Sequence, residues 1–243
     1  MDWHERFLQQ ATWTRELRSY LFEQAGLSRA RRVLEVGCGT GAILADLSTP
    51  AAVHALDLDP ARLVELGLHA PGVAPIRGDA HELPFSMGVF DITFCHFLLL
   101  WLSNPLKALG EMRRVTCPGG AILALAEPDY ESRVDKPEEL APLGRWQADA
   151  LRRKGADPGL GSHLADLFHQ AGIRIIETGI LRAAGRFMQS SAERDLEWAV
   201  LEADLAEWVP AREISKLKLL DEQAWERGER VLDVPTHFAW GRV

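Results

Sequence analysis

Four residues of strand character, Val33-Leu34-Glu35-Val36, run straight into Gly37-Cys38-Gly39-Thr40-Gly41, three glycines at alternate positions. Glycine carries no Cβ and tolerates positive φ, so such a turn lets the backbone bend sharply and lie against a ligand. A plain tight turn does not call for this series, since each glycine costs chain entropy, and the pattern reads as a binding device. A carboxylate, Asp57, ends the next apolar run, Ala52 to Leu56, 20 residues beyond Gly37. An ionised carboxylate is acceptor-only on two oxygens, which suits it to a pair of hydroxyl donors. His96 closes the run Val89 to Cys95, and its near-neutral intrinsic pKa suits a proton acceptor. The competing reading is a histidine that hydrogen-bonds the ligand or a local partner. Glu127, Asp129 and Tyr130 follow the run Ala121 to Ala126. They either orient an acceptor and take its proton or build a turn on Pro128.

Spacing separates ligand classes. Dinucleotide enzymes carry G-x-G-x-x-G, whereas this chain has Glu-x-Gly-x-Gly-x-Gly at Glu35 to Gly41. That motif resembles motif I of the class I S-adenosylmethionine-dependent methyltransferases. The resemblance continues through Asp57, Gly78-Asp79-Ala80, Phe90-Asp91 and Pro118-Gly119-Gly120, over roughly Arg31 to Glu127. It is nearest to the small-molecule members of the ubiquinone and menaquinone biosynthesis type. The resemblance implies S-adenosylmethionine as cofactor and S-adenosylhomocysteine as product. It implies that Glu35, Gly37, Cys38, Gly39 and Gly41 cradle the cofactor and that Asp57 holds the ribose hydroxyls. Leu58 then lies on the adenine face, Asp79 accepts from the adenine amino group, and the Ala80 N–H reaches the ring. His96 falls beside the sulfonium and the acceptor, as a cofactor ligand or, with Glu127, as a candidate catalytic residue. Helices ahead of motif I in that family fold over the cofactor and shape the acceptor pocket, which makes Trp13 a pocket candidate, with Tyr130 beside it. The implied activity is in-line methyl transfer to an oxygen, nitrogen or carbon of a small-molecule acceptor. The alternative is a non-catalytic module of the same fold that binds the cofactor or a partner.

The elements that must position these residues follow a βαβα walk. Residues Arg6 to Phe22 carry an approximate helical stripe, and Ala42 to Leu47 reads as the helix behind the glycine turn. Asp59, followed by Pro60, reads as a helix N-cap. A short third strand spans about Val73 to Arg77; a helix, Leu106 to Val115, is broken by Cys117-Pro118-Gly119-Gly120 before a fifth strand at Ala121. Helical stretches follow at Glu138 to Lys154, Leu160 to Ala171, Ser190 to Glu207 and Arg212 to Arg230, with a sixth strand at Gly172 to Leu181 and a last one within Val231 to Val243. The expected fold is α/β: a Rossmann-like, seven-stranded, mostly parallel sheet with helices on both faces, the last strand antiparallel, and a helical lid. One domain, 1–243, is expected, with an N-terminal helical cover over 1–30, a cofactor-binding core over 31–130 and a helical insertion at about 186–228.

The 243 residues are 47% hydrophobic, enough for one large core. A net charge of −8 argues against a nucleic-acid partner, which needs clustered Lys and Arg. The N-terminus has no signal pattern, and the longest apolar run, Ile92 to Leu102, is too short to span a bilayer. A cytoplasmic protein, monomer or homodimer, is expected. Cys38, Cys95 and Cys117 lack metal-site spacing, so no metal is expected.

Overall fold

The strands that carry the ligand-facing turns are buried on both faces, and this fixes the middle of the sheet. The computed structural model describes residues 3–182 and 190–243. Its elements are, in order, α1 (Trp3–Trp13), α2 (Arg15–Ala25), β1 (Arg32–Val36), β2 (Ala52–Asp57), α3 (Pro60–His69), β3 (Ala74–Arg77), β4 (Phe90–Cys95) and α4 (Pro105–Val115). There follow β5 (Thr116–Pro128), β6 (Val134–Lys136), α5 (Ala141–Arg153), α6 (Leu164–Gln170), β7 (Arg174–Leu181), α7 (Ser191–Leu205), α8 (Ala211–Glu226), β8 (Val231–Asp233) and β9 (Thr236–Arg242). The main sheet has the order β3-β2-β1-β4-β5-β9-β7. β3 to β5 pair in parallel, and β9 runs antiparallel to both β5 and β7. Strands β1, β4 and β5 are almost wholly buried, as parallel strands covered on both faces must be, while β7 at the edge alternates exposed and half-buried residues.

Two apolar layers clamp the sheet. On one face α2 and α3 bring Leu21, Phe22 and Leu66 onto Val33, Ile92, Phe94 and Leu123. On the other, α4 and α6 bring Leu109, Met112 and Phe168 onto Leu34, Val36, Leu56 and Ile122. The order of strands reverses between β1 and β4, and in open α/β sheets ligands bind at the carboxyl ends of the strands at this switch. Here those ends are the glycine turn and His96. A third cluster, including Leu143, Trp198, Leu201, Leu217 and Ala224, joins α5, α7 and α8 into a helical cap. The expected start of the insertion, near residue 186, lies outside the described residues.

Four local expectations need correction. Ala42 to Leu47 forms no α-helix; only a 3-10 turn, Leu44–Asp46, precedes β2. Pro50 lies just beyond, and proline pushes the residue before it out of the helical region. The N-terminal stripe is two helices broken at Thr14, whose φ of −110° and ψ of 4° leave the helical range. There the Arg18 side chain occupies the Ala11 carbonyl, an acceptor that an unbroken helix gives to the backbone. β5 begins at Thr116 rather than Ala121, because Cys117 to Gly120 form an irregularity against β4 inside the strand rather than a loop ahead of it. The last segment splits at Val234-Pro235 into β9 and a separate ribbon of β8 with β6.

Candidate active site

The glycine turn is built by backbone needs that only glycine meets. Gly37 has φ of 73°, and a Cβ there would stand 2.5 Å from Leu98 Cδ1; at Gly39, φ is 53° and a Cβ would meet the Phe7 ring at 3.2 Å. The N–H groups of Gly37 and Cys38 both donate to the Leu56 carbonyl, at 2.7 and 3.0 Å. The Gly39 N–H donates to Asp57 Oδ2 at 2.8 Å, and the Asp59 N–H to Oδ1 at 2.9 Å. Asp57 thus stitches the turn to β2 and still has lone pairs for two further donors. Leu58 beside it is 64% exposed, open for a ring to lie on. Asp59 caps α3 through the Ala61 N–H.

Glu35, on β1 beneath the turn, is 1% exposed, and its Oε2 makes no hydrogen bond among the described residues. Burial pushes its carboxyl well above the usual range, against the pull of Arg18 and with the push of Asp57. A buried carboxylate oxygen without a donor is costly unless something cationic completes it. Cys38 sits close by, with its thiol raised by burial and by the Glu35 charge. Asp79 stands at the carboxyl end of β3. It accepts the His81 N–H at 2.8 Å and pairs with His81 Nδ1 at 2.7 Å; these bonds hold its carboxyl below the usual range. His81 Nε2 accepts the Asn104 N–H, so the bridging histidine carries its proton on Nδ1. Ala80 is buried.

Glu35, Cys38, His96 and Tyr130 line one cavity of about 150 Å³, closed by Phe7 of α1 and by Lys154 and Asp204 of the helical cap. A second cavity of about 100 Å³ has Trp13 on its wall and shares Arg6, Phe97 and Tyr130 with the first. Asp57, Leu58, Asp79 and Ala80 line neither; they continue the rim at the ends of β2 and β3. Burial raises the Tyr130 phenol to about 12. Glu127 also lies outside both cavities. It is fully buried, and Oε1 accepts the N–H groups of Leu98 and Leu99, at 3.1 and 3.0 Å, while Oε2 accepts that of Leu100 at 3.3 Å. These bonds make Glu127 the clamp of the loop that presses Leu98 onto Gly37 rather than a group facing an acceptor. Burial raises its carboxyl to about 7, against the pull of the three N–H donors.

His96 is held from the N-terminal helices: Nε2 lies 2.9 Å from Thr14 Oγ1, and Arg18 Nη1 donates to the same oxygen at 2.8 Å. Burial, with Arg18 as second cause, pushes the imidazole well below its usual range. Sequence reasoning missed Thr14, Arg18, Arg6 and Phe97. Arg6 is 4% exposed, lies 5.1 Å over the Trp13 ring and pairs with Glu197 of α7 at 2.7 Å, tying the N-terminal cover to the cap. Phe97 follows His96 with φ of 52°, a rare value for a bulky residue and one that gathers at ligand sites. An arginine in an amphipathic stripe reads as solvated, and only the three-dimensional packing reveals otherwise.

Residues 34–124 match the family model described as a methyltransferase domain. A malonyl-[acyl-carrier protein] O-methyltransferase of Halorhodospira halophila is 36% identical over 127 residues, covering 49% of this chain and 43% of that protein. A demethylmenaquinone methyltransferase of Renibacterium salmoninarum is 37% identical over 115 residues, with 45% and 47% covered. The chain therefore spans about half the length of these curated relatives. Among solved structures, a protein of Anabaena variabilis assigned as a methyltransferase of an antibiotic biosynthesis pathway superposes with a TM-score of 0.66 at 18% identity, covering 94% of this chain and 97% of that one. At that identity the likeness shows the fold alone.

Proposed function

Because the chain carries a class I S-adenosylmethionine-dependent methyltransferase domain, we propose that it moves a methyl group from that cofactor to a small-molecule acceptor. The carrying observation is the orphaned, buried Glu35 Oε2 beneath a turn of three positive-φ glycines. An amino-acid ammonium supplies the donor that this oxygen lacks, and the backbone there tolerates no side chain. In the proposed mode Asp57 holds the ribose hydroxyls, Leu58 flanks the adenine, Asp79 and the Ala80 N–H read its edge, and Cys38 and the glycines line the amino-acid end. Bound there, the cofactor supplies an electrophilic methyl on a positive sulfur.

The chain's own part is alignment and exclusion of water. Phe7 and the cap close the larger cavity, and Phe97, Trp13 and Tyr130 give the acceptor an aromatic wall. Both cations at this wall are matched, Arg6 by Glu197 and Lys154 by Asp204, which suits a small acceptor over a polyanion. Among the described residues no helix is long and apolar enough to cross a membrane, and a cytoplasmic, monomeric or dimeric protein remains our reading of compartment and assembly.

Calorimetric titration with S-adenosylmethionine and S-adenosylhomocysteine, with NADH as control, tests the proposal. Micromolar binding of both adenosyl compounds and none of NADH is the expected result. Folded protein that binds neither would overturn it in favour of a module without cofactor.

A further inference from the structure

We propose that His96 serves the acceptor as a neutral hydrogen-bond donor through Nδ1–H, and that Thr14 and Arg18 are the positioning residues that set this state. The inference rests on the methyl-transfer reading above and names how that site meets its acceptor. Three contacts carry it. Arg18 Nη1 donates to Thr14 Oγ1 at 2.8 Å and also to the Ala11 carbonyl. The Thr14 hydroxyl has a single proton to give, and its two possible acceptors are the Ala11 carbonyl, at 3.4 Å beyond the ordinary range for a hydroxyl donor, and His96 Nε2, at 2.9 Å. The shorter contact takes the proton. His96 Nε2 is then spent as an acceptor, and a neutral imidazole with a bare Nε2 carries its hydrogen on Nδ1. Among the described residues Nδ1 has no hydrogen-bond partner, and His96 borders the larger cavity.

The helix break at Thr14 has a purpose on this reading. Thr14 is 2% exposed and Arg18 4%, so neither serves solvent. The break turns the hydroxyl away from the helix toward the end of β4, and Arg18, four residues on, supports it from below. The charged and titratable groups that act on the imidazole or line its cavity are Arg18 on α2, Arg6 on α1, Glu35 on β1, Cys38 in the glycine turn, Tyr130 after β5, Lys154 after α5 and Asp204 on α7. Arg6 and Lys154 face their own carboxylates, which leaves the buried Arg18 as the charge in contact with the Thr14–His96 pair. Its position disfavours an imidazolium.

A ring whose one lone pair is engaged is no proton acceptor, and this limits the acceptor chemistry. An acidic oxygen such as a carboxylate arrives ionised and needs no base. In the transfer the C–S bond breaks with its electron pair left on sulfur, and a carboxylate lone pair forms the C–O bond. The positive and negative charges cancel, and no proton is left to place. The Nδ1–H would hold the second carboxylate oxygen and aim the first.

Proton-detected long-range nitrogen correlation on histidine-labelled protein tests this without turnover, since it separates the two neutral tautomers. His96 is assigned by the signal lost in His96→Gln. In the wild type His96 is expected as the Nδ1–H tautomer, uncharged at neutral pH. Thr14→Ser should keep that pattern, and Thr14→Val should convert the ring to the Nε2–H form or a mixture. A wild-type Nε2–H tautomer overturns the proposal outright, even where Thr14→Val fails to fold, as does a Thr14→Val spectrum matching the wild type. These spectra need no cofactor, so they stand apart from the fate of the methyltransferase reading. For the acceptor class, butyrate added to protein holding S-adenosylhomocysteine should shift the His96 Nδ1 resonance, whereas a phenol shift with none from butyrate overturns the carboxylate assignment.

Discussion

Replacing Glu35 by glutamine isolates what the buried carboxylate does. In the free protein burial keeps its carboxyl well above the usual range, so it holds a proton longer than an ordinary glutamate. An ammonium arriving at Oε2 favours the ionised form, so the complex binds fewer protons than the free protein. Cofactor affinity should therefore rise with pH between the bound and free values of Glu35, with release of up to about one proton per cofactor where the free carboxyl is still protonated. A charge-assisted hydrogen bond contributes about 1.5–3 kcal/mol, so Glu35→Gln should weaken S-adenosylhomocysteine binding by roughly 10- to 150-fold. Stability should move the opposite way. The folded wild type keeps a proton that the unfolded chain gives up, so it loses stability as pH rises above the unfolded value. Glu35→Gln should melt higher at neutral pH, with the gain gone below the ordinary carboxylate range. Calorimetry in two buffers of different ionisation enthalpy counts the protons. No release in the wild type, together with unchanged affinity in the variant, would refute the reasoning.

Other consequences follow from single contacts. Gly37→Ala forces a Cβ to 2.5 Å from Leu98 Cδ1 at positive φ and should cost about 1–3 kcal/mol in a denaturant midpoint, with weaker cofactor binding. Arg6→Ala leaves Glu197 buried without its cation and should cost about 3–5 kcal/mol, whereas the Arg6→Met, Glu197→Met pair should cost far less than the two singles summed, by a double-mutant cycle. Glu127 is raised to about 7, so the folded state outbinds the unfolded one in protons between the ordinary carboxylate value and about 7. Stability present below that window should fall across it by on the order of 3 kcal/mol, and Glu127→Gln should flatten the melting temperature against pH.

The glycine turn and the strand ends beside it were legible because their rules are local. Three glycines at alternate positions, an acid at the end of the following strand and Gly78-Asp79-Ala80 all sit where backbone geometry dictates them. The order of the main-sheet strands was equally readable, down to the inserted antiparallel β9, whereas the β6–β8 ribbon was not. The cavities behind them were not. Thr14 and Arg6 owe their roles to partners 82 and 191 residues away, at His96 and Glu197, with Arg18 acting through Thr14, and no pattern within a helix encodes such a partner. Glu127 was read as facing an acceptor because it ends a ligand-facing strand. The local chain cannot show that three N–H groups of a neighbouring loop already hold its oxygens. The helix expected at Ala42 to Leu47 failed for another reason: six residues of apolar spacing do not fix a period.

The position of β9 bears on how the molecule is assembled. Of all the strands in the main sheet it comes latest in sequence, yet it lies between β5 and β7, both made earlier. Until it arrives those two strands have no common neighbour, and each shows an open row of backbone donors and acceptors. The sheet therefore closes in a single late, long-range step, with loop-closure entropy spent before any pairing rewards it. A nascent chain lacking residues 236–242 carries an open β5 edge and a wholly unpaired β7, a state exposed to self-association during synthesis.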